Sequence, residues 1–175
     1  MKKTEKTDWL EKGLEVLIND GYQRITIDHL CSLLKITKGS FYHHFKNIEM
    51  YIDALMKYWQ EINTTDFIKK TEQLADANEK QNLLNYLAYS ASYGMESVIR
   101  AWSFSNLTVK HYLAKVDAMR LEYLFNLNIQ LGCGVEESKH SALLRYGTLI
   151  GLQYLLPTLP KEDLETFYKH HSIDQ

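Results

Sequence analysis

Apolar residues recur at helical spacing through most of the chain, and no alternating valine–isoleucine run marks a strand. Trp9, Leu10, Gly13, Leu14, Leu17 and Ile18 share one face of a first helix that stops at Asn19-Asp20-Gly21. Asp8 and Glu11 stand at capping-box spacing at its start. Ile27, Leu30, Leu33 and Leu34 line a short second helix with Thr26 as its cap. Lys35-Ile36 makes a turn, and Thr37 can cap a third helix whose Phe41 and Phe45 face inward one turn apart. Asn47 opens a fourth, striped by Ile48, Tyr51, Ile52, Leu55, Trp59 and Ile62, with the pattern weakening at Thr64-Thr65-Asp66.

The polar tract over residues 70–82 predicts a loop. From Leu83 the pattern turns aromatic, and Tyr86, Tyr89 and Tyr93 fall on one helical face before Gly94-Met95 breaks or bends it. A short helix over Glu96–Phe104 follows, then a long one capped by Asn106 and running through Val109, Tyr112, Leu113, Val116, Tyr123 and Leu127. Asp117 can pair with Arg120 or with Arg100. Gly132-Cys133-Gly134 ends that helix, and Val135–Leu156 forms the most apolar one, with Gly147 and Gly151 four residues apart. Pro157 stops it, and Pro160 begins a last helix carrying Leu164, Phe167 and Tyr168. The chain therefore reads as all-α, with about nine helices.

Composition narrows the function classes. A chain of 175 residues can bury a core, and two prolines and eight glycines leave few helix breaks. The start, MKKTEKTDWL, has no apolar segment behind it, so no signal peptide is expected, and the stretch Ala142–Leu156 is too short and too interrupted to span a bilayer. Two distant cysteines, neither at metal-ligand spacing, suit a reducing cytoplasm. Residues 1–46 carry eight basic and six acidic side chains, which leaves −4 for the rest of a chain whose total is −2. A mildly basic head thus precedes an acidic body.

The tract TKGSFYHHFKN, with ITIDHL before it, carries the chemistry. A short helix with a small, polar, basic start and an aromatic-histidine finish suits a DNA major groove. Thr26 offers a hydroxyl and a helix start to a phosphate, Lys38 reaches guanine O6 or N7, and Gly39 lets the backbone come close. Ser40 suits a base or a phosphate, Tyr42 a thymine methyl or a phosphate, and His43, His44 and Lys46 phosphates. Arg24 reads as solvated, with phosphate contact as the alternative, and His29 reads as a surface residue. Lys2, Lys3 and Lys6 read as a frayed tail or as an arm touching DNA. Adjacent histidines point about 100° apart on a helix, so His43 and His44 do not suggest a metal site.

In Thr26, Leu30, Ile36, Thr37, Lys38-Gly39-Ser40, Phe41-Tyr42, Phe45 and Lys46-Asn47 the chain resembles the helix-turn-helix of the TetR family of bacterial transcription regulators. It departs from that pattern at Cys31, where alanine is usual, and at Lys35, where glycine is frequent and a positive φ would strain lysine. The resemblance implies a three-helix DNA-binding head over residues 1–47 and a helical effector-binding and dimerisation body over 48–175. It implies the DNA contacts Thr26, Thr37, Lys38, Gly39, Ser40, Tyr42, His43, His44 and Lys46. Tyr86, Tyr89, Tyr93, Trp102, Tyr112 and Tyr123 are candidates for an effector pocket, or for an ordinary core stripe with polar tips. Leu143, Gly147, Ile150, Gly151, Tyr154, Leu164 and Phe167 are candidates for a homodimer interface, or for burial within one protomer. The function implied is that of a cytoplasmic repressor, released from a palindromic double-stranded operator by a small-molecule effector, with no cofactor and no membrane. The alternatives are a protein-binding adaptor with a non-reading head, and an enzyme on the helical body. No nucleophile elbow, phosphate loop, metal cluster or paired carboxylates support the enzyme.

Overall fold

The computed structural model describes residues 5–90 and 93–155, and all regular structure among them is helical. Helix α1 (Lys6–Asn19) starts before Asp8 rather than after it. The Asp8 carboxylate turns back to accept the Glu5 N–H at 2.6 Å, so Asp8 closes the capping box from within the first turn and Glu5 is the cap. Lys6 is therefore helical, and its ammonium lies over the Phe45 ring, 5.4 Å from the centroid. Lys2 and Lys3 lie outside the described residues. Gly21, at φ 80°, turns the chain into a 3-10 segment (Tyr22–Arg24) ahead of α2 (Ile27–Leu34) and α3 (Lys38–His44).

Helix α4 (Ile48–Gln60) is capped by Asn47, whose side chain accepts the Met50 N–H at 2.9 Å. It does not fade at Thr64-Thr65 as the pattern suggested. It passes through a π-helical turn (Glu61–Thr65) into α5 (Asp66–Thr71). The loop expected over 70–82 shrinks to a few residues, because Asp76 caps α6 (Ala77–Ser90) by accepting the Asn78 and Glu79 N–H groups, both at 2.9 Å. Helix α7 (Tyr93–Ser103) runs through Gly94. Asn106 caps α8 (Leu107–Gln130) through the Val109 N–H at 3.1 Å, as its sequence position suggests. Gly132, at φ 94°, leads to α9 (Val135–Leu155). The predicted last helix, with Leu164 and Phe167, lies outside the described residues.

These helices form two compact units. The first holds the residues up to Ile62 together with Gly94–Asp117. Its core joins Trp9, Leu14, Leu17, Leu30, Phe41, Phe45, Tyr51 and Leu55 to Ile99, Trp102, Val109 and Val116. The Phe41 and Phe45 rings meet Trp9 edge-on at 5.3 and 6.4 Å. The buried Tyr51 hydroxyl donates to the Trp9 carbonyl at 2.8 Å. That approach of α4 to α1 depends on Gly13, where a Cβ would overlap the Tyr51 hydroxyl and lie 2.9 Å from Leu55 Cδ1. Asp117 takes Arg100 of α7, with oxygens at 2.6 and 3.1 Å, and Glu96 sits 2.8 Å from the same guanidinium.

The second unit holds Asn63–Tyr93 and the residues from Ala118 on, and among its described residues Thr64, Thr71, Lys80, Asn128, Ser138 and Gln153 are buried beside Leu127, Ala142 and Tyr146. Buried Thr64 accepts from Arg120 Nε at 3.0 Å, and Arg120 also reaches the Tyr146 hydroxyl at 3.2 Å. Lys80, equally withdrawn from water, donates to Glu72 at 2.8 Å and to Gln130 at 3.1 Å. Lys80 and then the Tyr123 hydroxyl hold the Glu72 carboxyl below its usual range. Arg145 of α9 bonds Asn128 and Asn85, both at 3.2 Å.

The packing at Gly13 sets a test. Gly13→Ala should destabilise the chain by about 1–3 kcal/mol, although alanine is the better helix former. Denaturant unfolding followed by tryptophan fluorescence reads this, and an unchanged or higher midpoint would remove the close approach from the account.

Candidate nucleic-acid interface

The candidate surface begins where α2 begins. Thr26 has extended backbone, and its hydroxyl accepts the His29 N–H at 3.3 Å. Leu30 and Cys31 point into the core, and burial first, then the charge of Asp28, pushes the Cys31 thiol up. Helix α2 ends at Lys35, which takes the left-handed conformation at φ 57° and ψ 43°. The Ile36 N–H returns to the Cys31 carbonyl at 3.0 Å and the Lys35 N–H to Ser32 at 3.2 Å, a Schellman closure. Lysine there costs on the order of 1 kcal/mol relative to glycine, the strain expected from its sequence position.

Thr37 occupies the backbone cap position of α3, but its hydroxyl makes no capping bond. The Ser40 N–H that it would have taken is already held by the Thr37 carbonyl at 3.0 Å. Phe41 and Phe45 are buried beneath α3, which fixes the direction of the opposite face. Thr37, Lys38, Gly39, Tyr42, His43 and Lys46 are exposed, while Ser40 and His44 are half-buried. The His43 and His44 rings meet edge-on at 5.0 Å. A Cβ on Gly39 would touch only Thr37 Oγ1, at an ordinary 3.6 Å. Glycine within a helix costs about 1 kcal/mol against alanine, and nothing inside the chain requires it here. It keeps the outer surface low for something that approaches from outside.

One residue of this surface was not evident from the sequence. Asp28, in the first turn of α2, places a carboxylate oxygen 2.5 Å from Lys38 Nζ. That hydrogen bond and charge hold the Lys38 ammonium above its ordinary range. Both side chains are well exposed, so the pair exchanges readily with other partners. With Thr26 and Tyr42 they rim a groove of about 340 Å³ that has Ile25 and Ile48 in its lining. The sequence signal available was the placement of Asp28 and Lys38 on opposite sides of one tight turn.

The candidate effector residues fall in different places. Trp102 is buried in the first unit and stacks on Tyr22 at 5.9 Å. Tyr112, in the same unit, donates to Asp53 at 3.1 Å. In the second unit Tyr86 is 64% exposed, and the Tyr123 hydroxyl lies 2.7 Å from both Thr71 Oγ1 and Glu72 Oε1. Burial, then the Glu72 carboxylate, pushes the Tyr123 phenol up to about 12 against the opposing bond to Thr71. The side chains of Tyr89 and Tyr93 lie outside the described residues. Of the candidate dimer residues, Leu143 is 63% and Tyr154 47% exposed, and Ile150 is half-buried. Among the described residues nothing lies within 4 Å of a Cβ placed at Gly147 or Gly151. Among the described residues no helix is long and apolar enough to cross a membrane.

Residues 10–55 match the family model described as bacterial regulatory proteins, tetR family. The HTH-type transcriptional repressor DhaR of Mycobacterium sp. (strain GP1) is 29% identical over 80 residues, 45% of this chain and 39% of that protein. The chain spans less than half the length of the curated relatives it matches. A TetR transcriptional regulator from Legionella pneumophila shares the fold with a TM-score of 0.75 at 14% identity, over 89% of this chain and 88% of that one. A putative transcriptional regulator from Saccharomonospora viridis, solved in complex with choline, does so with a TM-score of 0.73 at 14% identity, over 95% and 96%.

The Asp28 pair yields an expected outcome in two readouts. In Asp28→Asn the Lys38 ammonium should titrate at lower pH than in the native chain, which NMR titration of the lysine side chain detects. Duplex DNA of any sequence should also bind more tightly, since an anion leaves the surface. An unmoved Lys38 titration would show that the pair does not persist in solution.

Proposed function

We propose that this chain, which belongs to the TetR family, is a DNA-binding transcriptional regulator that acts as a homodimer on a palindromic operator. The observation that carries the reading is the outer face of α3. Lys38, Gly39, Tyr42, His43 and Lys46 stand exposed on a helix whose opposite side is locked by Phe41 and Phe45. Donors at the start of a short helix can reach base edges, while Thr26 and the first turn of α2 suit a phosphate. Thr37, Ser40 and His44 complete the DNA-contacting set. We assign residues 1–47 to DNA reading and 48–175 to effector binding and dimerisation.

The stripe of α9 with exposed Leu143 and Tyr154 and half-buried Ile150 around Gly147 and Gly151 supports dimerisation. No described residue fills the space at either glycine, and small residues at that spacing let a second helix approach closely. Two copies related by a two-fold axis would present two α3 helices to successive major grooves. The effector is a small apolar or cationic molecule that contacts tyrosines of the body, Tyr86 and Tyr123 among them. It releases DNA only if it binds the operator-competent state less well than the other. Repression in the cytoplasm, without a cofactor or catalysis, is the mode we assign.

Selection from a random duplex library at near-physiological salt should return one palindrome. Binding without a motif that vanishes as salt rises would replace this reading by the adaptor. On the selected duplex, Lys38→Ala should relax the preference at one base position by about 1–3 kcal/mol, and Lys46→Ala should weaken all sequences alike. Equal loss of discrimination in both variants would count against the roles given. Leu143→Glu should shift sedimentation toward a monomer, and an unaltered dimer would move the interface elsewhere.

A further inference from the structure

His29 does not stand free on the surface. Its side chain is 16% exposed, with Nε2 3.1 Å from Asp20 Oδ2 and Nδ1 3.0 Å from Arg24 Nη2. The neighbours fix the tautomer. A guanidinium can only donate, so Nδ1 accepts, and Nε2 carries the proton that goes to the Asp20 carboxylate. One imidazole thereby ties together the end of α1, the 3-10 segment and the first turn of α2.

We infer that His29 is a positioning residue that holds the Arg24 guanidinium at the start of α2 for a DNA phosphate. The inference rests on the regulator reading and adds to it a contact from outside the helix-turn-helix. Two observations bring Arg24 and Thr26 to one place. The His29 N–H caps onto the Thr26 hydroxyl, and helical side chains lean toward the N-terminus, so the ring reaches back over the helix start. The Thr26 N–H in turn bonds the Arg24 carbonyl at 2.8 Å. Only one nitrogen of the guanidinium is engaged by His29, and Arg24 is exposed, so further donors remain for a ligand. With the His29 N–H held by Thr26, the Ile27 and Asp28 amides have no intrahelical acceptor and favour the same anion. A free arginine loses rotamer freedom when it grips a phosphate, and an arginine already held by His29 loses less.

The experiment measures affinity for the selected operator and for a scrambled duplex across a salt series, with the full chain. Arg24→Ala should weaken both duplexes alike and lower the salt slope by about 1 per protomer. His29→Leu should weaken both several-fold. It should do nothing further in the Arg24→Ala background, because a positioning residue has no effect once its charge is gone. His29→Asn, which keeps an acceptor near the Nδ1 position, should recover part of the loss. A histidine that only braced α1 against α2 would lower the thermal midpoint and weaken binding equally in both backgrounds, which would overturn the inference. So would an unchanged salt slope in Arg24→Ala while the native chain still selects its palindrome, with the regulator reading intact. A native chain that binds no duplex would overturn both.

Discussion

The head is organised by the contact between Trp9 and Tyr51. A buried phenol donates to a main-chain carbonyl of α1, and the glycine one turn further along leaves it room. Burial pushes that phenol up, which favours the neutral form that donates to the carbonyl. The same indole receives Phe41 and Phe45 edge-on, so α3 is positioned by the helix that α4 is hooked to. Helix α3 has only seven residues and a glycine within them, too little for stability by itself. Its outward face is therefore a consequence of aromatic packing underneath and not of helix propensity.

Much of this was legible in the order of residues. Apolar spacing located the helices, because a buried stripe must repeat at 3.6 residues whatever its partners are. Asn47 and Asn106 were legible as caps, since a side-chain amide beside a helix start has few other uses. The misread features are those in which a polar side chain chose among several local partners. Asp8 bonded backward and began α1 earlier, and Asp76 extended α6 into a tract that looked like loop. Thr37 found its amide already taken, and His29 found two partners distant in sequence. The π-turn had no sequence signature beyond a weakening stripe, and its nearby partner, Arg120, is 56 residues from Thr64. Within the candidate surface the outward set was legible, but Asp28 was not, because pattern reading assigns an acidic first-turn residue to the helix dipole.

The second unit buries more polar side chains than the first among the described residues. Thr64, Thr71, Lys80, Asn128 and Ser138 lie there beside Leu127, Ala142 and Tyr146, and hydrogen bonds link α5 to α8, α6 to α8 and α8 to α9. Each of these bonds constrains the geometry of the helices it joins, since a buried donor needs its partner within a narrow range of distance.

The two cysteines make the molecule its own chemical clock. Cys31 is sealed under α2 with its thiol pushed up, while Cys133 sits half-exposed in the turn before α9. Thiolate is the reactive species, so Cys31, buried and with its thiol pushed up, should react slowly, and faster when α2 comes away from the core. Cys133 reports the same reagent without such a gate. The ratio of the two rates should follow how often α2 comes away from the core, with no label added to the chain.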